Sequence, residues 1–285
     1  MRKNSVFMRF PNGLAKALTL SYDDGVVEDV RLIGIMKKHG LKGTFNLNSG
    51  RFQTSDGMNQ TTSGTIRRWL TAEQAKELYD QEGIEPATHA CMHPFLQTMP
   101  SASVAWEMLE DRVFLEKLFG RPIRGMAYPY GAYSDQVVEV LDKCGIAYSR
   151  TVKSTGKFDV PTDWLRMPAT CHHNDPRLME LTEAFLSKKR GNTQQPCLFY
   201  LWGHSYEFEE DQNWNVIEEF AEKIGGKEDI WYATNIEIYD YVHAYESLIF
   251  TVEIDCVKNP TAQTVWFILR DRLYQVAPGE MIKLD

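Results

Sequence analysis

No run of apolar residues in this chain approaches the roughly 20 that a helix needs to cross a bilayer, so no membrane-spanning segment is expected. The opening stretch, MRKNSVFMRFPNG, also lacks the apolar core of about 7–15 residues that marks a secretory signal. Cysteine is scarce. Its five residues, Cys91, Cys144, Cys171, Cys197 and Cys256, are scattered and odd in number, which suits reduced thiols rather than a disulfide framework. With no export signal in view, the expected location is the cytoplasm. Positive charge is in deficit as well. A net charge of −8 leaves no electrostatic footprint for nucleic acid or an anionic membrane, and neither is expected as a partner. No repeat of 20–50 residues is evident.

What is present is enough apolar material for a sizeable core: 43% of 285 residues. The segments AKALTLS, KGTFNLN, IEPATH, IRGMAYP, IAYSRT, WLRMPAT, CLFYLWG and IWYAT read as strands. Between them, VVEDVRLIGIMKKHG, TAEQAKELYDQEG, SASVAWEMLEDRVFLEKLFG, SDQVVEVLDKCG and NVIEEFAEKIGG read as helices, the long one amphipathic. Thr71 and Gly83 supply start and stop signals for the second of these. Strand–helix repetition over most of the chain predicts a parallel sheet with crossover helices, closed into a distorted barrel or doubly wound. After about Leu248 the pattern changes to period two, with turn signals at Asn259-Pro260, Arg270-Asp271 and Pro278-Gly279. The expected organisation is a barrel domain over residues 1–246 and a small β appendage of three or four strands over 247–285, leaning on it. The polar stretch from Ser49 to Trp69 reads as a surface loop or as a rim over a binding site.

Four clusters could carry chemistry. Asp23 and Asp24 stand together at the end of the first strand, and two carboxylates so close need something cationic to share the space. His89 and His93, in THACMHPF, would share a side if the chain made one helical turn. Alone, that spacing fits two unrelated histidines as well as a ligand pair. Set beside the aspartates, two neutral imidazoles and a carboxylate make a three-ligand site for zinc or a similar ion, with a position left open for water. Asp24 would bind, and Asp23 would stand one step back to take a proton. The third cluster, AYPYGAYS, holds a Pro129-Tyr130-Gly131 turn that either simply ends a strand or offers the Tyr130 N–H to a ligand. The fourth, LFYLWGHS, puts His204 at the exit of the most apolar strand, as a core histidine or as a general acid. All four fall at the C-terminal ends of predicted strands, the face on which parallel barrels assemble active sites.

At these residues the chain resembles the polysaccharide deacetylases, the NodB-homology group of carbohydrate esterases. SYDDG is similar to their first motif, HACMHP to the second, MAYPYG to the third and LWGH to the last, in the family's order over about residues 15–240. The resemblance implies a distorted (β/α) barrel of the NodB type, here with its small C-terminal β appendage. It implies one divalent ion, zinc foremost and cobalt, nickel or manganese as substitutes, on Asp24, His89 and His93. It also implies Asp23 as general base, the Tyr130 N–H as oxyanion donor and His204 as general acid. The implied reaction removes an N-acetyl or related N-acyl group from a carbohydrate, with water on the metal as nucleophile.

The chain departs from the family where Ala127 stands in place of an Arg that usually holds the base. Arg166, in DWLRMPAT, is the expected replacement, paired with Asp23. DVPTDW, with Asp159, Asp163 and Trp164, only loosely echoes the family's fourth motif. His172 and His173, in CHHND, read as a polar loop or as a substrate contact. Trp164, Trp202, Tyr22, Tyr133 and Tyr206 suit stacking on a sugar ring or burial in the core. Two other readings stand beside the deacetylase: the same barrel hydrolysing a non-sugar amide such as a cyclic ureide, and a non-catalytic carbohydrate-binding barrel. Retention of all three ligands argues against the first, and retention of base and acid against the second.

Overall fold

The computed structural model describes residues 5–52, 59–60 and 66–285. Most of the loop expected to form a rim, between Ser49 and Trp69, lies outside them. The main domain is a distorted (β/α) barrel built around Lys16–Asp23, a strand buried over its whole length. One edge of it pairs in parallel with Cys197–Gly203, and the other with Gly43–Leu47. The order continues through Ile84–Thr88, Gly125–Ala127, Tyr148–Ser154 and Met167–Ala169. Ile230–Tyr232 pairs with the lower half of the central strand, from Lys16 to Leu18.

The two end strands of this hydrogen-bonded path are neighbours in the chain. Met167–Ala169 pairs with Tyr148–Ser154, and Cys171–His172 pairs with Cys197–Gly203. Thr170 between them donates its N–H to Tyr200 O at 2.9 Å. One segment therefore bonds to both sides, and the ring is completed through covalent continuity rather than by an uninterrupted ladder.

Local chemistry explains the helices. Ala72–Tyr79 starts at Thr71, the predicted cap, which forms a capping box with Gln74. Asp135–Lys143 is capped by Ser134. Ser101–Phe119 ends at Gly120, whose φ of 68° a β-carbon would disfavour. That long helix is not cleanly amphipathic: Trp106, Leu109 and Val113 lie on its solvent side. Three helices escaped the sequence reading, Leu178–Ser187, the short Ser205–Glu210 and Asn235–Glu246. The first residues of Asn235–Glu246 enter the barrel interior, where Asn235 bonds Thr19 and Tyr200 and the Ile236 N–H meets buried Glu85.

The β appendage contains five strands of the C-terminal tail rather than three or four, in two small sheets. Arg270 and Asp271 form the tight turn of one hairpin, with φ of 52° and 64°. The expected boundary after residue 246 is crossed by the N-terminal strand Val6–Arg9, which pairs antiparallel with Val265–Leu269. Tyr241 ties the two parts together, donating its hydroxyl to Arg9 O at 2.6 Å and accepting the Trp266 N–H at 3.0 Å.

Buried Asp29, at the start of Asp29–Lys38, joins the first helix to the residue after His204. Its carboxyl meets Ser205 Oγ and Tyr79 Oη, each at 2.5 Å. Burial pushes its pKa up to about 7, against the lowering effect of those two hydrogen bonds. A group with a raised folded-state pKa stabilises fully below its unfolded value, about 3.9, and loses that contribution as pH rises through about 7. Asp29→Asn has no such titration. The stability of the variant relative to wild type, measured by urea unfolding at pH 4.5 and pH 7, is therefore expected to rise with pH. A difference independent of pH would remove Asp29 as the source.

Candidate active site

The pocket at the C-terminal ends of the strands is lined by Asp23, Asp24, His89, His93, Tyr128, Tyr130, Gly131, Val152, Trp202, His204 and Tyr206. All four sequence clusters therefore meet in one place. Asp23 is the last residue of the central strand, and its register partner on the next strand is Asn46. Asn46 Nδ2 donates to Asp23 Oδ1 at 2.8 Å. The other carboxylate oxygen is bound by the guanidinium of Arg150. Burial alone would raise the Asp23 pKa, but Arg150 first, then His89 and His204, bring it down to about 2. Asp23 is ionised throughout the physiological range.

Arg150 is the cation that the sequence analysis assigned to Arg166. Arg166 turns outward, where its guanidinium pairs with Asp135 at 2.7 Å and Asp163 at 3.1 Å. The physical reason lies in strand register. Ala127, where the family would keep its Arg, is paired with Arg150 on the adjacent strand. A side chain from that neighbouring strand reaches the same part of the barrel, and Ala127 leaves room for it. Arg150 is fully buried, and its guanidinium lies over the Trp202 ring at 4.4 Å. The available signal was IAYSRT itself: Tyr148 and Arg150 fall on the same side of a strand, so the charge follows a core aromatic inward.

Asp24 comes next, with φ of 84°, and its N–H bonds Asn46 O at 2.9 Å. His93 and Tyr130 are also left-handed, at 56° and 58°. Non-glycine residues in this region cost about 1–3 kcal/mol each and persist only where the surroundings fix them. His89 and His93 are not on a helical turn. They flank a loop in which Ala90 is left-handed too, and their rings meet edge to face at 4.7 Å. His89 Nδ1 lies 2.7 Å from Ala127 O, so Nδ1 carries the proton and Nε2 is left with a lone pair. Burial lowers both pKa values to about 4, leaving both rings neutral at pH 7.

Asp24 Oδ1 lies 3.6 Å from His93 Nε2 and 4.0 Å from His89 Nε2, and the three ligand atoms fall within 4.8 Å of one another. A small closure would bring all three to the 2.0–2.2 Å at which nitrogen and oxygen bind zinc. The donor set fits a divalent ion. Cys91 is buried against Ser49 instead, with its sulfur 3.8 Å from that hydroxyl.

His204 Nε2 is 3.8 Å from Asp23 Oδ2. Burial alone would lower its pKa, but the Glu207 carboxylate, 3.2 Å from Nδ1, followed by Asp23 and Asp24, raises it. The sequence reading missed Glu207. Trp202 lines the pocket as expected. Trp164 does not: it packs edge to face on Tyr239 at 5.2 Å and against His243, in the core. His172, expected to touch substrate, directs its Nε2 to Glu207 at 3.1 Å. Tyr130 sits at the mouth, half exposed and stacked on Phe95 with ring centres 3.9 Å apart.

Removing one partner of a buried ion pair leaves the other charge uncompensated, at a typical cost of about 3–5 kcal/mol. Arg150→Met is expected to lose stability on that scale. Arg166→Met should change it by less than about 1 kcal/mol, because its partners are solvated. Urea unfolding of both, and of the double variant Arg150→Met/Asp23→Asn, reads the coupling. Equal losses for the two arginines would undo the assignment of Arg150.

The family model described as polysaccharide deacetylase matches residues 11–149, a little under half of the chain. No match was found among curated proteins. Among solved structures, a provisionally named polysaccharide deacetylase from Mycobacterium smegmatis is 16% identical, with 86% of this chain and 96% of that one covered and a TM-score of 0.59. It shares the fold. The Streptococcus pyogenes deacetylase PplD, solved with acetate, is 24% identical over 47% of this chain, at a TM-score of 0.39. Only 55% of that protein's own length is spanned. A family 4 carbohydrate esterase from Streptomyces lividans, also solved with acetate, is 16% identical over 76% of this chain and 92% of its own, at 0.49. Residues 11–149, the part that matches the polysaccharide deacetylase family model, carry the paired aspartates, the two pocket histidines and the Pro-Tyr-Gly turn.

Proposed function

We propose that the chain is a metal-dependent hydrolase that removes an N-acetyl or related N-acyl group from a carbohydrate. The observation that carries this reading is the position of Asp23. It is an ionised carboxylate, clamped by Arg150 and Asn46, next to the Asp24–His89–His93 group and 3.8 Å from the His204 imidazole. The family match supports the same reading.

Asp24, His89 and His93 would hold a divalent ion, which when bound would supply Lewis acidity and lower the pKa of a nearby water. Asp23, held near 2, is a weak base. Its value lies in being always ionised and fixed in direction by two donors, which orients a water for attack. The backbone at Tyr130, bent by its left-handed conformation at the pocket mouth, is the candidate donor for charge building on the carbonyl oxygen. His204, with its raised pKa, keeps a proton for the departing nitrogen. Trp202 and the Phe95–Tyr130 stack offer apolar faces for a sugar ring near the reacting groups.

Metal analysis after loading with zinc and dialysis is expected to find about one ion per chain, with most of it lost in His93→Ala. Acetate release from a panel of N-acetylated mono- and oligosaccharides tests the reaction. Asp23→Asn should keep the ion while kcat falls by about 10²–10⁴, whereas Asp24→Asn should lose both ion and rate. Equal metal loss in the two aspartate variants would reverse the role assignment. An ion-loaded protein that releases acetate from none of the sugars would end the carbohydrate reading.

A further inference from the structure

Two histidines and a carboxylate beside the pocket are spaced as ligands are around an ion. His172 ends the short strand Cys171–His172, and His173 follows it, its N–H bonded to Trp202 O at 2.9 Å. Glu207 is the third residue of Ser205–Glu210. Its Oε2 lies 3.1 Å from His172 Nε2 and 3.2 Å from His173 Nε2, and the three atoms fall within 4.8 Å of one another. Zinc bonds of about 2.0–2.1 Å, opened at the tetrahedral angle, set neighbouring ligand atoms about 3.3 Å apart. These spacings are nearer to that edge than the 3.6 and 4.0 Å that separate Asp24 from His93 and His89.

His173 carries the argument further. The ring is wholly buried, and among the described residues neither of its nitrogens has a hydrogen-bond partner. A buried polar group left this way is costly. Its Nε2 is close enough to Glu207 Oε2 for a hydrogen bond but is not aligned for one. Ligands of one ion stand in this relation, because each lone pair is aimed at the ion and the neighbouring ligand lies off that line. The ring is also fixed in advance. It stacks on Phe208 at 4.0 Å and on Tyr22 at 5.8 Å, and a β-carbon on Gly203 would come within 2.0 Å of its Nδ1. His172 and Glu207 are partly exposed, which gives an ion a way in.

We propose that His172, His173 and Glu207 form a second divalent-metal site, which takes zinc or a similar first-row ion through two imidazole nitrogens and one carboxylate oxygen and leaves its solvent side to water. It shares no residue with the Asp24–His89–His93 group. His204 stands between the two, with Nε2 3.8 Å from Asp23 Oδ2 and Nδ1 3.2 Å from Glu207 Oε1. The second ion is therefore a clip and not half of a two-metal pair bridging one substrate. It ties the closing segment of the barrel to the helix that begins just after His204. One contact opposes it. The Asn174 N–H donates to His172 Nδ1 at 3.1 Å, so in the ion-free ring the proton is on Nε2. An ion on Nε2 moves that proton to Nδ1 and turns the Asn174 N–H away. The clip is accordingly weaker than the pocket site and gives up its ion on dialysis, which leaves the single ion expected above. Nothing in it depends on the reaction proposed for the pocket.

The test is zinc uptake by the full-length protein in equilibrium dialysis against buffered free zinc, raised through the micromolar range. Wild type is expected to take up a second equivalent per chain, and its Tm to rise as that equivalent binds. His172→Gln and Glu207→Gln, both at partly exposed positions, should each lose the second equivalent and its rise in Tm. His93→Ala should keep it. In long-range ¹H–¹⁵N NMR, the Nε2 signals of His172 and His173 should move to metal-bound shifts with the second equivalent, and the Asn174 amide should move with them. A wild type whose only equivalent is removed by His93→Ala overturns the proposal. So does a second equivalent that survives both His172→Gln and Glu207→Gln, since it then lies elsewhere. A single equivalent that His172→Gln removes and His93→Ala spares upholds the clip and removes the metal from the pocket alone.

Discussion

The ion pair between Asp23 and Arg150 is the constraint on which the pocket depends. Two adjacent carboxylates at a strand end, both largely removed from water, are tolerable only with positive charge close by. The guanidinium takes one oxygen of Asp23 and Asn46 takes the other, while Asp24 enters the same pocket, its Oδ1 4.0 Å from the His89 Nε2 that Asp23 Oδ2 approaches at 3.9 Å. The backbone reversal at Asp24 accompanies that convergence, since a left-handed residue directly after an extended one takes its side chain off the strand's own alternation. Everything on the rim of the pocket is placed relative to this pair: His89 at 3.9 Å from Asp23, His204 at 3.8 Å, and Trp202 as the lid over the guanidinium.

The closing segment of the barrel serves the same arrangement. Met167–Ala169 pairs with the strand that carries Arg150, and Cys171–His172 pairs with the strand that ends at His204. The strand that carries Arg150 and the strand that leads to His204 are therefore both paired with one short stretch of chain. A shift in its register would move both at once.

Strand ends and their chemistry were legible in the sequence because period, caps and the order of polar residues are local properties. Thr71, Ser134 and Gly120 act where their types predict, and Asp23, Asp24, His89, His93 and His204 converge as parallel strand ends should. The arginine was not legible. Arg150 and Arg166 are both strand-associated; IAYSRT gives the side to which Arg150 points, but which arginine reaches Asp23 is decided by lateral register, a relation between strands. Trp164 and Trp202 present the same ambiguity between core and pocket, resolved only when the last helix packs over one of them. Glu207 was missed because its helix, Ser205–Glu210, is too short to leave a periodic signal, although His-x-x-Glu at a helix start is the kind of spacing a capping box uses.

The pairing of Val6–Arg9 with Val265–Leu269 sets the order in which the molecule can be finished. Val6–Arg9 emerges from the ribosome roughly 260 residues before its partner, on the order of 10–50 s at the usual pace of synthesis. The barrel's own strands find neighbours much sooner, so the barrel can take shape while this strand waits as a bare edge. Its apolar residues, Val6, Phe7 and Met8, make it a site where nascent chains could join to one another. The hairpin thus acts as a seal on Val6–Arg9, and a ribosome that stalls before residue 265 leaves that edge open.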